Sequence, residues 1–145
     1  MSDGRGRSFT LEVSTPEGAP RRLEADSVVF PASDGMVGVL AGRAPLVAVL
    51  AAGTVLVSLA DGGSESYFVS GGFARVHEGG MVILADQFVP AASLDPDLAR
   101  QELAQARAMP ARTDPQHSAR AKAVQAAGRK LALAQGAPTR PGQSR

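Results

Sequence analysis

Over residues 8–13 apolar and polar side chains alternate without a break. Phe9, Leu11 and Val13 fall on one face, Ser8, Thr10 and Glu12 on the other. A period of two predicts a half-buried β-strand. TPEG at residues 15–18 is turn chemistry. Beyond it Arg22, Glu24 and Asp26 alternate with Leu23 and Ala25 as a second strand, and residues 28–30 form a third that stops at Pro31. Residues 46–50, 54–59, 65–69, 73–77 and 81–86 read as further strands. DGGS at 61–64 and EGG at 78–80 are short Gly-rich connections of the kind that close hairpins. Short strands at this spacing, with no helical period between them, predict an antiparallel β-sandwich of about ten short strands.

The period changes at Ser93. Asp95 is an N-cap acceptor directly before Pro96, with Asp97 in the first turn facing the positive end of the helix dipole. Leu94, Leu98, Ala99, Leu103 and Ala106 give a thin apolar stripe, and Met109 before Pro110 ends the helix. Asp114 before Pro115 repeats the start, and an Ala-rich helix runs to about Gln135, where Gly136 supplies a stop. Its stripe is Ala119, Ala123, Ala126, Ala127, Leu131 and Leu133 or Ala134. The expected organisation is a disordered arm at 1–7, the sandwich at 8–92, a C-terminal antiparallel α-helical hairpin at 93–136, and a disordered tail at 137–145. Small stripe residues bury little area, so the hairpin is expected to be detachable.

Composition narrows the chemistry. With no Cys among 145 residues there is no disulfide, thiolate metal site or Cys nucleophile. No apolar run follows the first arginines, so a secretory signal is not expected. Seventeen uncharged residues separate Arg43 from Asp61, but Gly53 interrupts them and Val55 and Val57 favour strand, so two strands joined by a turn are expected rather than a membrane span. The chain lacks a phosphate loop, a nucleophile elbow and an HExxH helix. The glycine pairs at 62–63, 71–72 and 79–80 read as turn or bulge positions. His77 and His117 have no ligand-spaced neighbours. Neither a catalytic site, a metal nor a cofactor is expected.

Charge is split along the chain. Residues 8–94 carry four Lys/Arg against nine Asp/Glu, a net −5, whereas residues 114–145 carry six Lys/Arg against Asp114 alone, a net +5. The basic face of the second helix is either a solvated surface or a dock for an acidic partner. An acidic body with a single Tyr offers no stacking platform for nucleic acid.

GMVGVLAGRAPL at 35–46 sets Gly35, Gly38 and Gly42 around a short apolar run, with Arg43 its single charge. Each glycine is expected to need positive φ or the close approach of another strand. Pro45 denies a ladder hydrogen bond, so the segment is expected to turn a sheet edge. This spacing resembles the signature loop of the epsilon subunit of F-type ATP synthases, in which the third glycine is followed by His or Arg and then Ala-Pro-Leu. SGGF at 70–73 and VILAD at 82–86 resemble two further stretches of that family, in the same order, and the likeness runs from about Phe9 to Gln135.

The resemblance implies a non-catalytic central-stalk subunit of a proton- or sodium-translocating synthase, peripheral to the cytoplasmic side of a bacterial inner membrane. Its implied partners are the γ subunit, the c-ring and the α/β hexamer. Position by position, Asp34, Met36 and Arg43 would face polar loops of the c-ring, with Met36 standing where many relatives carry an acid. Arg112, Arg120, Lys122, Arg129 and Lys130 would meet an acidic segment of β and restrain ATP hydrolysis. Family members that bind ATP on the hairpin show Asp-x-x-Arg-Ala at its start. Here Leu98 replaces that arginine, and weak or absent ATP binding is expected. The rival reading is a free-standing β-sandwich adaptor whose basic helices bind an acidic protein or RNA.

Overall fold

A computed structural model describes residues 7–136, so most of the expected arm and the whole expected tail lie outside the described residues. The chain divides into two compact units, Met1–Pro90 and Ala91–Arg145.

The first unit holds nine strands: β1 (Phe9–Ser14), β2 (Arg21–Ala32), β3 (Gly35–Leu40), β4 (Leu46–Val49), β5 (Gly53–Leu59), β6 (Ser64–Ser70), β7 (Phe73–His77), β8 (Gly80–Leu84) and β9 (Gln87–Pro90). The two strands expected at 22–26 and 28–30 are one, β2. Its register against β5 slips between Ala25 and Ser27, so the strand bulges instead of ending. The first half of β2 pairs with β1 and the second half with β3. The sheet order is β4-β7-β8-β1-β2-β5-β6-β9, with β3 beside β2. Every pairing is antiparallel except β1 with β8, which runs parallel from Thr10↔Gly80 to Ser14↔Leu84. The inward side chains of both halves share one core built on Leu11, Val28, Phe30, Val55, Val57, Tyr67, Met81 and Ile83.

The loop expected at 35–46 is largely strand. Gly35 and Gly42 have φ of +135° and +85°, as turn positions demand. Gly38 departs from expectation: it lies outside the positive-φ glycines, and a Cβ built on it would meet nothing within 4 Å. Pro45 directly precedes β4, which ends the sheet order. β9 was not expected from the pattern. It is a four-residue strand held by β6, and its Phe88 ring stacks on Tyr67 at 4.4 Å.

The second unit holds one 3-10 turn, Ala91–Ser93, then α1 (Pro96–Arg107) and α2 (Asp114–Ala134). Asp95 caps α1, its carboxylate accepting from the Asp97 amide at 2.9 Å. The cap of α2 is Thr113 rather than Asp114. Thr113 Oγ1 accepts from the Gln116 amide while Gln116 Oε1 accepts from the Thr113 amide, both at 3.2 Å. That reciprocal pair needs Thr and Gln three apart, a signal present in TDPQ at 113–116 that the Asp-Pro pattern overshadowed. Leu98 and Ala119 leave the expected stripes and are exposed. Leu98 shares its face with Glu102 and Gln105, whereas Ala99, Leu103 and Ala106 line up four and three residues apart.

Candidate functional site

Alternation along β3 turns Val37 and Val39 inward and leaves Met36, Gly38 and Leu40 on the outer face. Met36 is 53% exposed and Leu40 65%. The turn after β3 brings Arg43 back beside the strand. Its amide donates to the Leu40 carbonyl at 3.1 Å, and its Nη1 reaches the Gly38 carbonyl at 3.3 Å. Leu40 and Arg43 also border a cleft of about 250 Å³, whose other walls include Phe9, Pro45, Val76 and His77. Asp34 is exposed in the turn leading into β3. Arg43 thus lies beside Gly38, with Met36 two residues away on the outer face of β3 and Asp34 in the turn before the strand.

A second uncovered surface escaped the sequence reading. The register pairs Val49 with Phe73 and Phe73 with Leu84, forming one cross-strand row on the outer side of β4, β7 and β8. These three side chains are 61%, 45% and 40% exposed. Val47 faces Arg75 in the row beside it. The signal was the run LVAVL at 46–50, apolar at both parities where a half-buried strand alternates.

The five basic residues of the hairpin do not behave alike. Arg112, Lys122 and Arg129 are exposed. Arg120 Nε instead donates to the Arg107 carbonyl at 3.1 Å, and Lys130 Nζ meets Glu102 Oε1 at 3.0 Å, so both tie α2 to α1. Arg100 pairs with Asp97 at 2.6 Å within the first turns of α1. His77 Nδ1 accepts from the Gly79 amide at 3.0 Å, a turn contact, and His117 is exposed on α2. Among the described residues no three His, Cys, Asp or Glu side chains gather as a metal site.

Residues 8–91 match the family model described as ATP synthase, Delta/Epsilon chain, beta-sandwich domain. An ATP synthase epsilon chain of Rhodopirellula baltica is 39% identical over 120 residues, covering 83% of this chain and 93% of that protein. The chain belongs to the ATP synthase delta/epsilon family. Another epsilon chain, from Brucella anthropi, is 36% identical over 101 residues, covering 70% of this chain and 75% of the relative. Two solved structures share the fold. One chain of the Euglena gracilis mitochondrial ATP synthase, in a structure of OSCP, F1 and c-ring, gives a TM-score of 0.71 at 24% identity, covering 83% of this chain and 78% of its own. One chain of the Tetrahymena thermophila mitochondrial ATP synthase, in a structure of central stalk and c-ring, gives 0.66 at 11% identity, covering 86% and 97%. As an epsilon chain this is a non-catalytic subunit of an ATP synthase. Among the described residues no helix is long and apolar enough to cross a membrane.

Proposed function

We propose that this epsilon chain is a rotor link: its sandwich joins the γ subunit to the c-ring, and its hairpin restrains ATP hydrolysis through basic contacts with β. The observation that carries the proposal is the pair of uncovered apolar surfaces on one small sandwich, the row Val49, Phe73 and Leu84 and the β3 face with Met36, Leu40 and Arg43. Exposed contiguous apolar rows mark protein contacts, and a subunit that bridges two partners needs two of them. The broader, more apolar row suits a lasting interface with γ. The β3 face, with its guanidinium and the nearby Asp34, suits the polar loops of the c-ring. Arg112, Lys122 and Arg129 offer the hairpin's exposed charge to an acidic segment of β, while Arg120 and Lys130 become available to it when α2 leaves α1. No cofactor enters this reading. Within the complex this chain would be peripheral, on the cytoplasmic side of a bacterial inner membrane.

The test is ATPase activity of an α/β/γ core with the full chain or with a version stopped at Ser93. Binding by both, with slower hydrolysis for the full chain alone, is the expected result. Binding by both without inhibition leaves the link and removes the hairpin's role. If neither binds γ, the adaptor reading takes its place, in which the basic helices hold an acidic protein or RNA.

A further inference from the structure

We infer that Gly38 is kept bare to receive a partner's main chain, making the β3 face a notch that seats a polar loop of the c-ring. The inference rests on the rotor-link reading and specifies how its c-ring surface works. A glycine inside a strand needs a reason, because it loses more conformational freedom on folding than any other residue and packs nothing against its neighbours. The usual reasons are absent at Gly38. Its φ lies outside the left-handed region, its register with Val29 is regular, and a Cβ there would meet nothing within 4 Å. Gly72 shows the contrast: there a Cβ would fall 1.8 Å from the Leu84 carbonyl oxygen, and φ is +89°. The chain's own fold demands glycine at 72 and makes no such demand at 38.

What remains is an approach from outside. Gly38 sits between two exposed apolar side chains, Met36 and Leu40, two residues away on either side and on the same face. These form the walls of a notch whose floor is the Gly38 Cα, with no side chain above it. Arg43 stands at one wall, its Nη1 on the Gly38 carbonyl at a long 3.3 Å. A guanidinium has five N–H donors, so others remain to meet carbonyl or carboxylate oxygens on an incoming loop. Leu40 and Arg43 also border the cleft of about 250 Å³, room enough for one side chain of that loop. Apolar walls, a main-chain floor and one cation fit a tight polar turn rich in exposed carbonyl groups. A helix or a flat apolar face would be held off by Met36 and Leu40.

The notch predicts that stability and binding respond to one substitution in opposite directions. Gly38→Ala and Gly38→Val add a side chain in open space, so both full-length variants should melt a few degrees higher, by about 2–5 °C. Assembled with γ, each should bind a purified c-ring more weakly, Val by at least about tenfold and Ala by less, with γ binding unchanged. Arg43→Ala, measured beside them, separates this inference from the reading beneath it. If Arg43→Ala weakens c-ring binding and Gly38→Val does not, the notch is wrong and the c-ring surface stands. If neither variant changes binding to the c-ring, or the unaltered chain with γ does not bind it, the c-ring surface is misassigned and the notch falls with it. A loss of melting temperature in Gly38→Ala would show that the fold itself needs the glycine, which also overturns the inference.

Discussion

The two units of this chain are held by different physics. In the sandwich the buried residues include Phe30, Tyr67, Leu11, Met81 and Ile83, large side chains drawn from both halves of the sheet. In the hairpin the buried residues are Ala99, Ala106, Ala127 and Leu133. Fully burying a large aliphatic or aromatic side chain contributes roughly 1.5–3 kcal/mol, while a methyl contributes about 0.8. The sandwich therefore rests on its core. The hairpin leans on polar contacts at its ends and edges: the Asp95 cap, the Thr113–Gln116 box, the Arg120 bond to Arg107 and the Lys130–Glu102 pair. Each such contact adds only about 0.5–1.5 kcal/mol net. A region held this way opens at low cost, which is what a switching element requires, and a region held by a core does not.

Core substitutions should expose this difference most strongly. Phe30→Ala is expected to remove about 3–5 kcal/mol from the sandwich, and Leu133→Ala about 2 kcal/mol from the hairpin, where solvent lies close to the vacated space. Urea titrations followed by circular dichroism in the sheet and helix bands would read the two separately. Equal losses would erase the distinction. The same Gly→Ala exchange sharpens it next. At Gly72 the new Cβ collides with the Leu84 carbonyl and φ is +89°, so a loss of at least about 2 kcal/mol is expected. At Gly128, in the middle of α2, a Cβ meets nothing within 4 Å, and Ala should raise the helical transition by about 0.5–1 kcal/mol. A stabilised Gly72→Ala protein would mean that the β6–β7 turn is built otherwise than described.

How much of this was legible in the sequence varies with the kind of signal. Strict alternation at Phe9, Leu11 and Val13 placed β1 and its buried face, and Asp95 before Pro96 placed the start of α1. The bulge that makes β2 one strand leaves no mark in composition, because it is set by pairing with β5 across the chain. β9 is four residues with a terminal proline, too short to show a period. The signature loop announced Arg43 but not its return to Gly38, which depends on the turn after β3. The row Val49, Phe73 and Leu84 needed the register of three strands before it could be seen as one surface. The cations on α2 read in the sequence as one basic face. That Lys130 and Arg120 turn toward α1 needed the hairpin's packing.

A smaller effect tests how far electrostatics holds the hairpin. Lys130 is largely covered while Glu102 is about half exposed, so their pair is only partly screened. Glu102→Gln should cost the helical transition between a few tenths and about 1 kcal/mol. Added salt should lower the stability of the unaltered hairpin and leave the variant less affected. An unchanged transition would leave the hairpin to its caps and alanines alone.

The last contrast is absent at neutral pH and appears only in alkali. Burial raises the pKa of Tyr67 above the ordinary tyrosine value, and Glu65, which accepts its hydroxyl hydrogen bond, pushes it the same way. Arg21, 5.6 Å over the ring, opposes them. The folded sandwich thus favours the neutral phenol, while in the unfolded chain the same group ionises near pH ~10. Its contribution to stability is complete below that pH and drains away as pH rises through the higher folded value. Tyr67→Phe cannot ionise, so the stability gap between it and the unaltered chain should be constant from pH 7 to about 9.5 and shift against the unaltered chain above about 10. The hairpin contains no tyrosine, so its helical transition should not take part in that shift. Urea midpoints of both proteins at three pH values decide it. A gap that stays constant into strong alkali would mean that water reaches the Tyr67 hydroxyl and that the β6–β9 edge of the sandwich is looser than its stacked Phe88 implies.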